Sequence, residues 1–537
     1  MADTHEDAAE SAGTVVFRSA AGRWVMAATV LGSAMGFLDA TVVNVALPVI
    51  GRDIGADVPE LQWVLDGYLL TLAALILLGG SLADRYGRRR AFTVGTVCFM
   101  VPSVLCAVAP NAEVLIVARA LQGVGAALLT PGSLALIQAT YRPVDRAAAI
   151  GMWSALTGVA SALGPLLGGW LIDAFSWRWI FLINVPIGLL VLATTVRRVP
   201  ESRDPGATGS LDVRGAVLAT AGLAGVTFAL IEGPRGQAPP WLTFTALALG
   251  LGALAEFART ERRAAGPMLP PGVFGARQFL SANAVTFVVY AALGGVFFLL
   301  VVFLQTSLGY SPLNAGAASL PVTLLMLALS SRAGALAQRV GPRVPLTVGP
   351  LLLAAGMLLM LRIGADDGGG VRDYAVSVLP AVLVFGLGLA TTVAPVTATA
   401  LAAAPAAHSG VASGVNNAVS RLAQLAAVAA LPPLAGIGGR DFQDPRALAD
   451  GFHTAMLITA GLAVAGGLLA WATIRSDVLE TGRPAAPEAA PEPAPAERGP
   501  ATEPCPYECP VAGTPLRPAP SATPPADGDT GSAEPGT

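Results

Sequence analysis

Not one of the 537 residues is lysine, and only 12% of the chain is charged. Without lysine there is no phosphate-gripping side chain for a Walker-type loop, and no glycine-rich strand-to-helix turn stands in for one, so ATP hydrolysis by this polypeptide is excluded from the reading. Histidine is scarce too. His408 and His453 stand alone, away from any acidic cluster, so neither a His/Asp catalytic centre nor a metal site is read, and no cofactor is expected. Of the four cysteines, Cys98 and Cys106 lie about two helical turns apart in one apolar segment, too far for a disulfide. Cys505 and Cys509 have no histidine nearby to complete the roughly four ligands of a closed zinc site. The net charge is -3 and the arginines come in short clusters between apolar runs, which points away from nucleic acid.

What the chain has in abundance is apolar sequence. Hydrophobic residues make up 54% of it and the mean hydropathy is +0.64, a balance that belongs in a lipid bilayer. Residues 1–13 are polar and acidic. The apolar stretch from about Trp24 to Ile50 is far longer than the roughly 7–15-residue core of a cleaved signal and is expected to remain as a span. Residues 476–537, mostly Pro, Ala, Glu and Gly, have the composition of a disordered tail.

A helix needs about 20 apolar residues to cross a hydrocarbon core, and on that ruler about fourteen spans fit. Their centres fall near Met35, Leu72, Met100, Gly125, Ala160, Gly188, Gly222, Leu249, Leu293, Leu325, Ala354, Gly388, Ala423 and Ala463. Short loops rich in arginine stay in the cytoplasm. Arginines gather after the even-numbered spans: Arg85 and Arg88 to Arg90, then Arg142 and Arg146, then Arg197, Arg198, Arg203 and Arg214, then Arg259, Arg262 and Arg263, then Arg339 and Arg343, then Arg475. The opposite loops are richer in acids, among them Asp366, Asp367, Asp373, Asp441, Asp444 and Asp450. Both termini are therefore expected on the cytoplasmic side of the cell membrane.

The run Gly80-Ser81-Leu82-Ala83-Asp84-Arg85-Tyr86-Gly87-Arg88-Arg89-Arg90 is echoed by Gly334-Ala335-Leu336-Ala337-Gln338-Arg339-Val340-Gly341-Pro342-Arg343. If the two loops are equivalent, spans one to six match spans nine to fourteen and the seventh and eighth are an inserted pair. The expected fold is an all-α integral membrane protein. Residues 1–20 form a cytoplasmic segment, 21–200 a six-helix bundle, 201–275 the inserted pair with its linkers, and 276–475 a second six-helix bundle ahead of the tail.

Four stretches carry a family resemblance. They are Leu38-Asp39-Ala40-Thr41-Val42-Val43-Asn44-Val45-Ala46-Leu47-Pro48 in the first span, the loop holding Asp84, Arg119-Ala120-Leu121-Gln122-Gly123-Val124-Gly125-Ala126-Ala127 in the fourth, and Gly164-Pro165-Leu166-Leu167-Gly168-Gly169 in the fifth. Over about residues 20 to 475 the chain resembles the fourteen-span drug/proton antiporters of the major facilitator superfamily. In place of the glycine that this pattern has four residues before the Gly-Pro step stands Ala160. The resemblance implies two related bundles that rock about a substrate site at their interface. It also implies a role for the fifth-span residues Ala160, Gly164, Pro165, Gly168 and Gly169 in antiport.

Asp39 lies inside an apolar helix about 15 Å from its outer end at 1.5 Å per residue. A charge there costs about 2.5 to 3.5 kcal/mol on insertion scales and usually faces a cavity or a partner. Arg119, about 10 Å below the outer surface on an inward-running helix, is the natural partner. Desolvation favours the neutral acid and a nearby cation favours the charged one, and the sequence leaves open which wins. The resemblance places both residues around the central cavity and gives them proton coupling.

Asp84 sits at a helix C-terminus, where its own helix dipole disfavours a negative charge. It needs a partner, either Arg88 or the exposed backbone N–H groups of the thirteenth span near Ser409 and Gly410. The resemblance makes Gly80, Asp84, Arg85, Gly87 and Arg88 a latch on the cytoplasmic side. The Gly164-Pro165 step removes a backbone hydrogen bond, and Ala160, Gly164 and Gly168 form a small-residue face for close helix packing. Gly123-Val124-Gly125 follows no strand and is no dinucleotide loop. Asn44, Asp66, Gln122, Asn416, Asn417 and Arg421 are polar groups in apolar helices and candidates to line the substrate cavity; a gate or topology role also suits Asp66, and helix-to-helix hydrogen bonding the thirteenth-span residues.

An ion gradient remains as the energy source. A proton suits a site of one or two carboxylates, yields about 2.3 kcal/mol per 100 mV, and sustains roughly a fiftyfold gradient of a neutral compound. The expected function is proton-driven export of small amphipathic compounds such as drugs, antibiotics or secreted metabolites, by a monomer that acts as a transporter and not an enzyme. With no acid in the expected spans of the second half, neutral or weakly charged apolar substrates are favoured. The rival readings are a symporter, a narrow metabolite exporter, a membrane lipid enzyme or a sensor.

Overall fold

The computed structural model of the protein describes residues 15–204, 211–264, 275–364, 370–404, 409–439, 441 and 444–481. The expected disordered tail beyond these, with Cys505 and Cys509, lies outside the described residues, as do residues 1–14, Asp366, Asp367, His408 and the side chains of Ser409 and Gly410.

Among the described residues fourteen long helices follow one another: α1 (Ala20–Ile54), α2 (Val58–Tyr86), α3 (Arg88–Ala107), α4 (Ala112–Thr140), α5 (Pro143–Ala174), α6 (Trp179–Arg198, broken at Ile183), α7 (Val213–Arg235) and α8 (Pro240–Arg263). Then come α9 (Arg277–Thr306), α10 (Pro312–Val340, broken at Ser319), α11 (Arg343–Met360), α12 (Val371–Ala402, opening with a π-helical turn), α13 (Ser409–Leu434) and α14 (Pro445–Thr473). Among the described residues there is no strand, only an isolated bridge between Val15 and Tyr141. Thirteen of the helices are long and apolar enough to cross a membrane. The remaining one, α13, carries Asn416, Asn417, Arg421 and Gln424, and these polar residues dilute its hydropathy.

The local sequence sets the helix ends. Ser19 caps α1 by accepting from the Gly22 N–H at 3.0 Å. Asp57 and Glu60 form a reciprocal capping box on α2, satisfying two backbone donors that the helix leaves free. Asn111 caps α4 and Ser311 caps α10. Both echoed loops shrink to a single tight turn. Gly87 (φ 113) and Gly341 (φ 82) take backbone angles open to glycine, and the charged residues before each belong to the preceding helix. In each case the segment just past the sixth or the fourteenth helix fills the space a side chain would need: Glu201 beside Gly87, Ser476 beside Gly341. α14 starts at Pro445, so Asp450, expected in a loop, lies within its second turn.

Packing repeats with an offset of eight helices. α2 with α4, α3 with α4, α1 with α4, α5 and α6, and α3 with α6 are matched by α10 with α12, α11 with α12, α9 with α12, α13 and α14, and α11 with α14. α7 packs on α8, α2 and α13. The two sets of six meet where α2 faces α13, α5 faces α10 and α1 faces α9.

Candidate functional site

Close backbone approach creates the site. Gly123 lies against the Tyr68 carbonyl and Thr71 of α2, and Gly125 against Cys98 and Phe99 of α3, so no side chain fits at either position. Thr71 Oγ1 donates to the Ala120 carbonyl at 2.8 Å. This draws α4 between its neighbours and buries the face bearing Arg119 and Gln122, three residues apart and therefore adjacent.

Arg119 and Asp39 pair there with side chains 1% and 0% exposed. Arg119 NH1 donates to Asp39 Oδ2 and, at 2.6 Å, to Gln122 Oε1, while its Nε donates to the Val64 carbonyl at 3.2 Å. Its guanidinium stands 4.4 Å from the Tyr68 ring centroid. Gln122 Nε2 donates to Asp39 Oδ1 and to Ser103 Oγ, both at 2.9 Å, and Asn184 Nδ2 reaches Ser103 Oγ at 3.4 Å. Residues of five helices thus join one network around the Asp39 carboxylate, to which, among the described residues, α4 alone donates directly. A pair this deep is costly to break, because removing either partner strands the other charge away from water. Ser103, Asn184, Tyr68 and Val64 were not marked by the sequence: they are neutral, and only the packing of α2 and α3 on α4, and of α6 on α3, brings them in.

A narrow, partly open cleft, with about 20 Å³ of space free for the centre of a water-sized molecule, lies between this network and the arginine-rich end of the helices. Gly32, Ser33, Gly36, Phe37, Tyr68, Leu72, Ala126, Leu129, Thr130, Trp153 and Arg421 line it. Of the six polar candidates for the cavity, Arg421 is on that wall. Gln122 belongs to the Asp39 network. Asn416 is buried and donates to Asn283 Oδ1 at 3.2 Å and Thr286 Oγ1 at 3.0 Å, tying α13 to α9. Asn44 and Asn417 donate to carbonyls of their own helices. Asp66 is fully buried, with neither carboxylate oxygen hydrogen-bonded.

Polar ties between the two sets of six close the far end. Gln62 Nε2 donates to the Val428 and Ala429 carbonyls at 2.6 and 3.1 Å, Gln305 Nε2 to the Val45 carbonyl at 2.7 Å, the Val58 N–H to the Gly439 carbonyl at 2.9 Å, and the Leu313 N–H to Asp173 at 3.1 Å. The fifth-helix motif sits at this seam. Gly164 and Gly168 press on Thr41 and Val42 of α1, Gly169 touches the Pro312 and Leu313 backbone, and the Pro165 carbonyl touches Gly316. Toward the arginine-rich end the same two helices are exposed, as at Met152 and Leu156 of α5 and Leu324 and Leu327 of α10.

At the arginine-rich end Asp84 pairs with Arg88, whose Nε lies at 2.9 Å and NH2 at 2.8 Å. Of its two expected partners it is Arg88 that holds it. Arg85 lies 5.8 Å from the Tyr86 ring, and Gly80 faces Pro131 of α4. Glu201, which the sequence did not single out, accepts from the Arg89 N–H at 3.0 Å and sits 3.7 and 3.8 Å from the Arg89 and Arg90 guanidinium nitrogens. At the far end a second cluster ties α7 to α2. Arg235 lies 2.8 Å from Asp57, 3.8 Å from Glu60 and 3.4 Å from Glu232, and the Trp63 indole donates to Glu232 at 3.0 Å.

The sequence model of the Major Facilitator Superfamily matches residues 29–428. The chain belongs to that superfamily. Among its relatives, the puromycin resistance protein of Streptomyces alboniger is 36% identical over 84% of this chain and 91% of its own length. A probable actinorhodin transporter of Streptomyces coelicolor is 36% identical over 77% of this chain and 72% of its own. The multidrug efflux pump LfrA of Mycolicibacterium smegmatis is 35% identical over 73% and 77%. A crystal structure of a peptide transporter in complex with sulfate superposes with a TM-score of 0.63 at 18% identity, covering 87% of this chain and 97% of that one. At that identity the likeness speaks for the major facilitator fold alone.

Proposed function

We propose that the protein is a proton-driven antiporter of the cell membrane that exports small amphipathic compounds, drugs or antibiotics among them. The observation that carries this reading is the Asp39–Arg119–Gln122 network, an acid sealed among the helices beside the open cleft. The names of the relatives, which include antibiotic resistance and efflux proteins, support export in particular. In this reading all fourteen long helices cross the bilayer, 21–200 and 276–475 are the two rocking bundles, 201–275 is an insertion, and the arginine-rich end faces the cytoplasm with both termini. The arrangement described above is then inward-facing, with the far seam shut and the cleft open to the cytoplasm.

Proton and cargo act on one cavity. A proton arriving at Asp39 removes the charge that Arg119 pairs with, and the freed guanidinium changes its hold on Gln122, Val64 and the Tyr68 ring, which borders the cleft. Loss of that proton to the cytoplasm restores the pair. Asp84 with Arg88, supported by Gly80, Arg85 and Gly87, serves as the cytoplasmic gate, and Ala160, Gly164, Pro165, Gly168 and Gly169 form the pivot on which the far seam shuts. The monomer is sufficient for this cycle, and no partner other than substrate, protons and lipid enters it. Inverted vesicles with an imposed pH gradient test the reading: acid-inside vesicles accumulate dyes or antibiotics, and collapse of the gradient releases them. Uptake that ignores the gradient for every compound tried overturns it.

A further inference from the structure

The cleft holds one charged side chain and no acid to match it. Among its lining residues only Arg421 carries a formal charge. Arg421 NH1 reaches Gln424 Oε1 on its own helix at 3.3 Å, its Nε is buried with no hydrogen-bond partner, and none of the ion pairs among the described residues includes it. The acids of the neighbouring helices do not compensate. Asp39 is matched by Arg119, and Asp66 is sealed away from the cleft wall.

The rest of the wall is aromatic, formed by Phe37, Tyr68 and Trp153. Such rings attract cations as readily as they stack on flat molecules, but Arg119 already stands over the Tyr68 ring, and Arg421 on the same wall repels a second cation. A cationic guest would meet the Arg421 guanidinium and find no carboxylate on the wall. A flat aromatic acid would stack on the rings and offer oxygens to a planar donor fork with hydrogen bonds still to make.

We infer that Arg421 is an anion anchor, and that the cleft selects planar aromatic compounds bearing a phenolate or carboxylate. The inference rests on the exporter reading and sharpens its substrate class, since the sequence alone favoured neutral or weakly charged cargo. It also suits the energetics. Exchanging an outgoing anion for an incoming proton moves two elementary charges with the membrane potential, where a neutral substrate moves one and a monovalent cation none.

The test compares two dyes built on one xanthene core, anionic fluorescein and a cationic rhodamine, by fluorescence anisotropy on purified protein in nanodiscs at fixed salt. Fluorescein should bind about tenfold more tightly or better, the value of a hydrogen bond to a charged group. Arg421→Gln should erase the preference and Arg421→Lys should keep most of it. Equal or tighter binding of the rhodamine to the unaltered protein overturns the inference, as does binding of neither dye, or a preference that survives Arg421→Gln. Because binding needs no gradient, a charge preference without gradient-driven uptake would sink the exporter reading and leave the anchor standing.

Discussion

Asp39→Asn probes the buried network directly. Asp39 accepts from Arg119 NH1 and from Gln122 Nε2, whereas asparagine has a single acceptor oxygen, so its amide nitrogen must face one of those donors. Gln122 cannot relieve the clash by turning over, because its Oε1 already accepts from Arg119 at 2.6 Å and its Nε2 also serves Ser103. The variant therefore loses a charge-assisted hydrogen bond worth about 1.5–3 kcal/mol. It also leaves the guanidinium without a counter-charge, which moves the loss toward the about 3–5 kcal/mol expected when a buried pair is halved. The Val64 carbonyl and the Tyr68 ring still hold Arg119, which places the cost near the lower end, about 3 kcal/mol, and the protein should still fold with a lowered melting temperature in detergent. In inverted vesicles, uptake driven by the pH gradient should fall to the protein-free baseline while dye still binds in the cleft, whose wall does not include Asp39. Gradient-driven uptake at the unaltered rate would refute the coupling role.

Other perturbations separate the parts. Arg119→Lys keeps the charge but cannot serve Asp39, Gln122 and Val64 from one planar group, so coupled transport should fall about tenfold or more, read as initial rate against pH gradient. Gly169→Val drives a branched side chain into the Pro312–Leu313 backbone; it should cost about 1–3 kcal/mol and raise thiol labelling of a Leu313→Cys reporter. Gly87→Ala, forced to φ 113 against Glu201, should cost about 1–3 kcal/mol, while Glu201→Gln, which removes only partly exposed ion pairs, should cost less than about 1 kcal/mol; paired melting curves rank them. Arg235→Ala leaves Asp57, Glu60 and Glu232 crowded without their shared cation, so the loss of stability should shrink as salt is raised.

Much of this architecture was legible because membrane helices announce themselves by length and hydropathy, and each expected span centre falls inside one of α1 to α14. The Asp39–Arg119 pairing was legible from depth alone, since two opposite charges in hydrocarbon at similar levels on nearby helices have little choice but to meet. The role of Gln122 was not. An uncharged amide beside Arg119 reads equally as cavity lining, and only the approach of α3, allowed by Gly125, gives it Ser103 and Asp39 together. Glu201 and the Arg235 cluster escaped notice for a related reason: on the page they look like ordinary polar residues at helix ends, and their partners are distant in sequence. Asn416 shows the converse, a polar residue in an apolar helix whose hydrogen bonds are taken by Asn283 and Thr286.

The anchoring of α7 to α2 through Arg235 and Trp63 has a practical corollary. If the bundles rock, these polar ties favour the extra helical pair riding on the amino-terminal one, although α7 also packs on α13, and α8, whose face is almost wholly uncovered, becomes a handle on that body. A rigid fusion or antibody fragment grafted at the turn between Arg235 and Pro240 would report the motion of one half by single-particle imaging without touching the transport pathway.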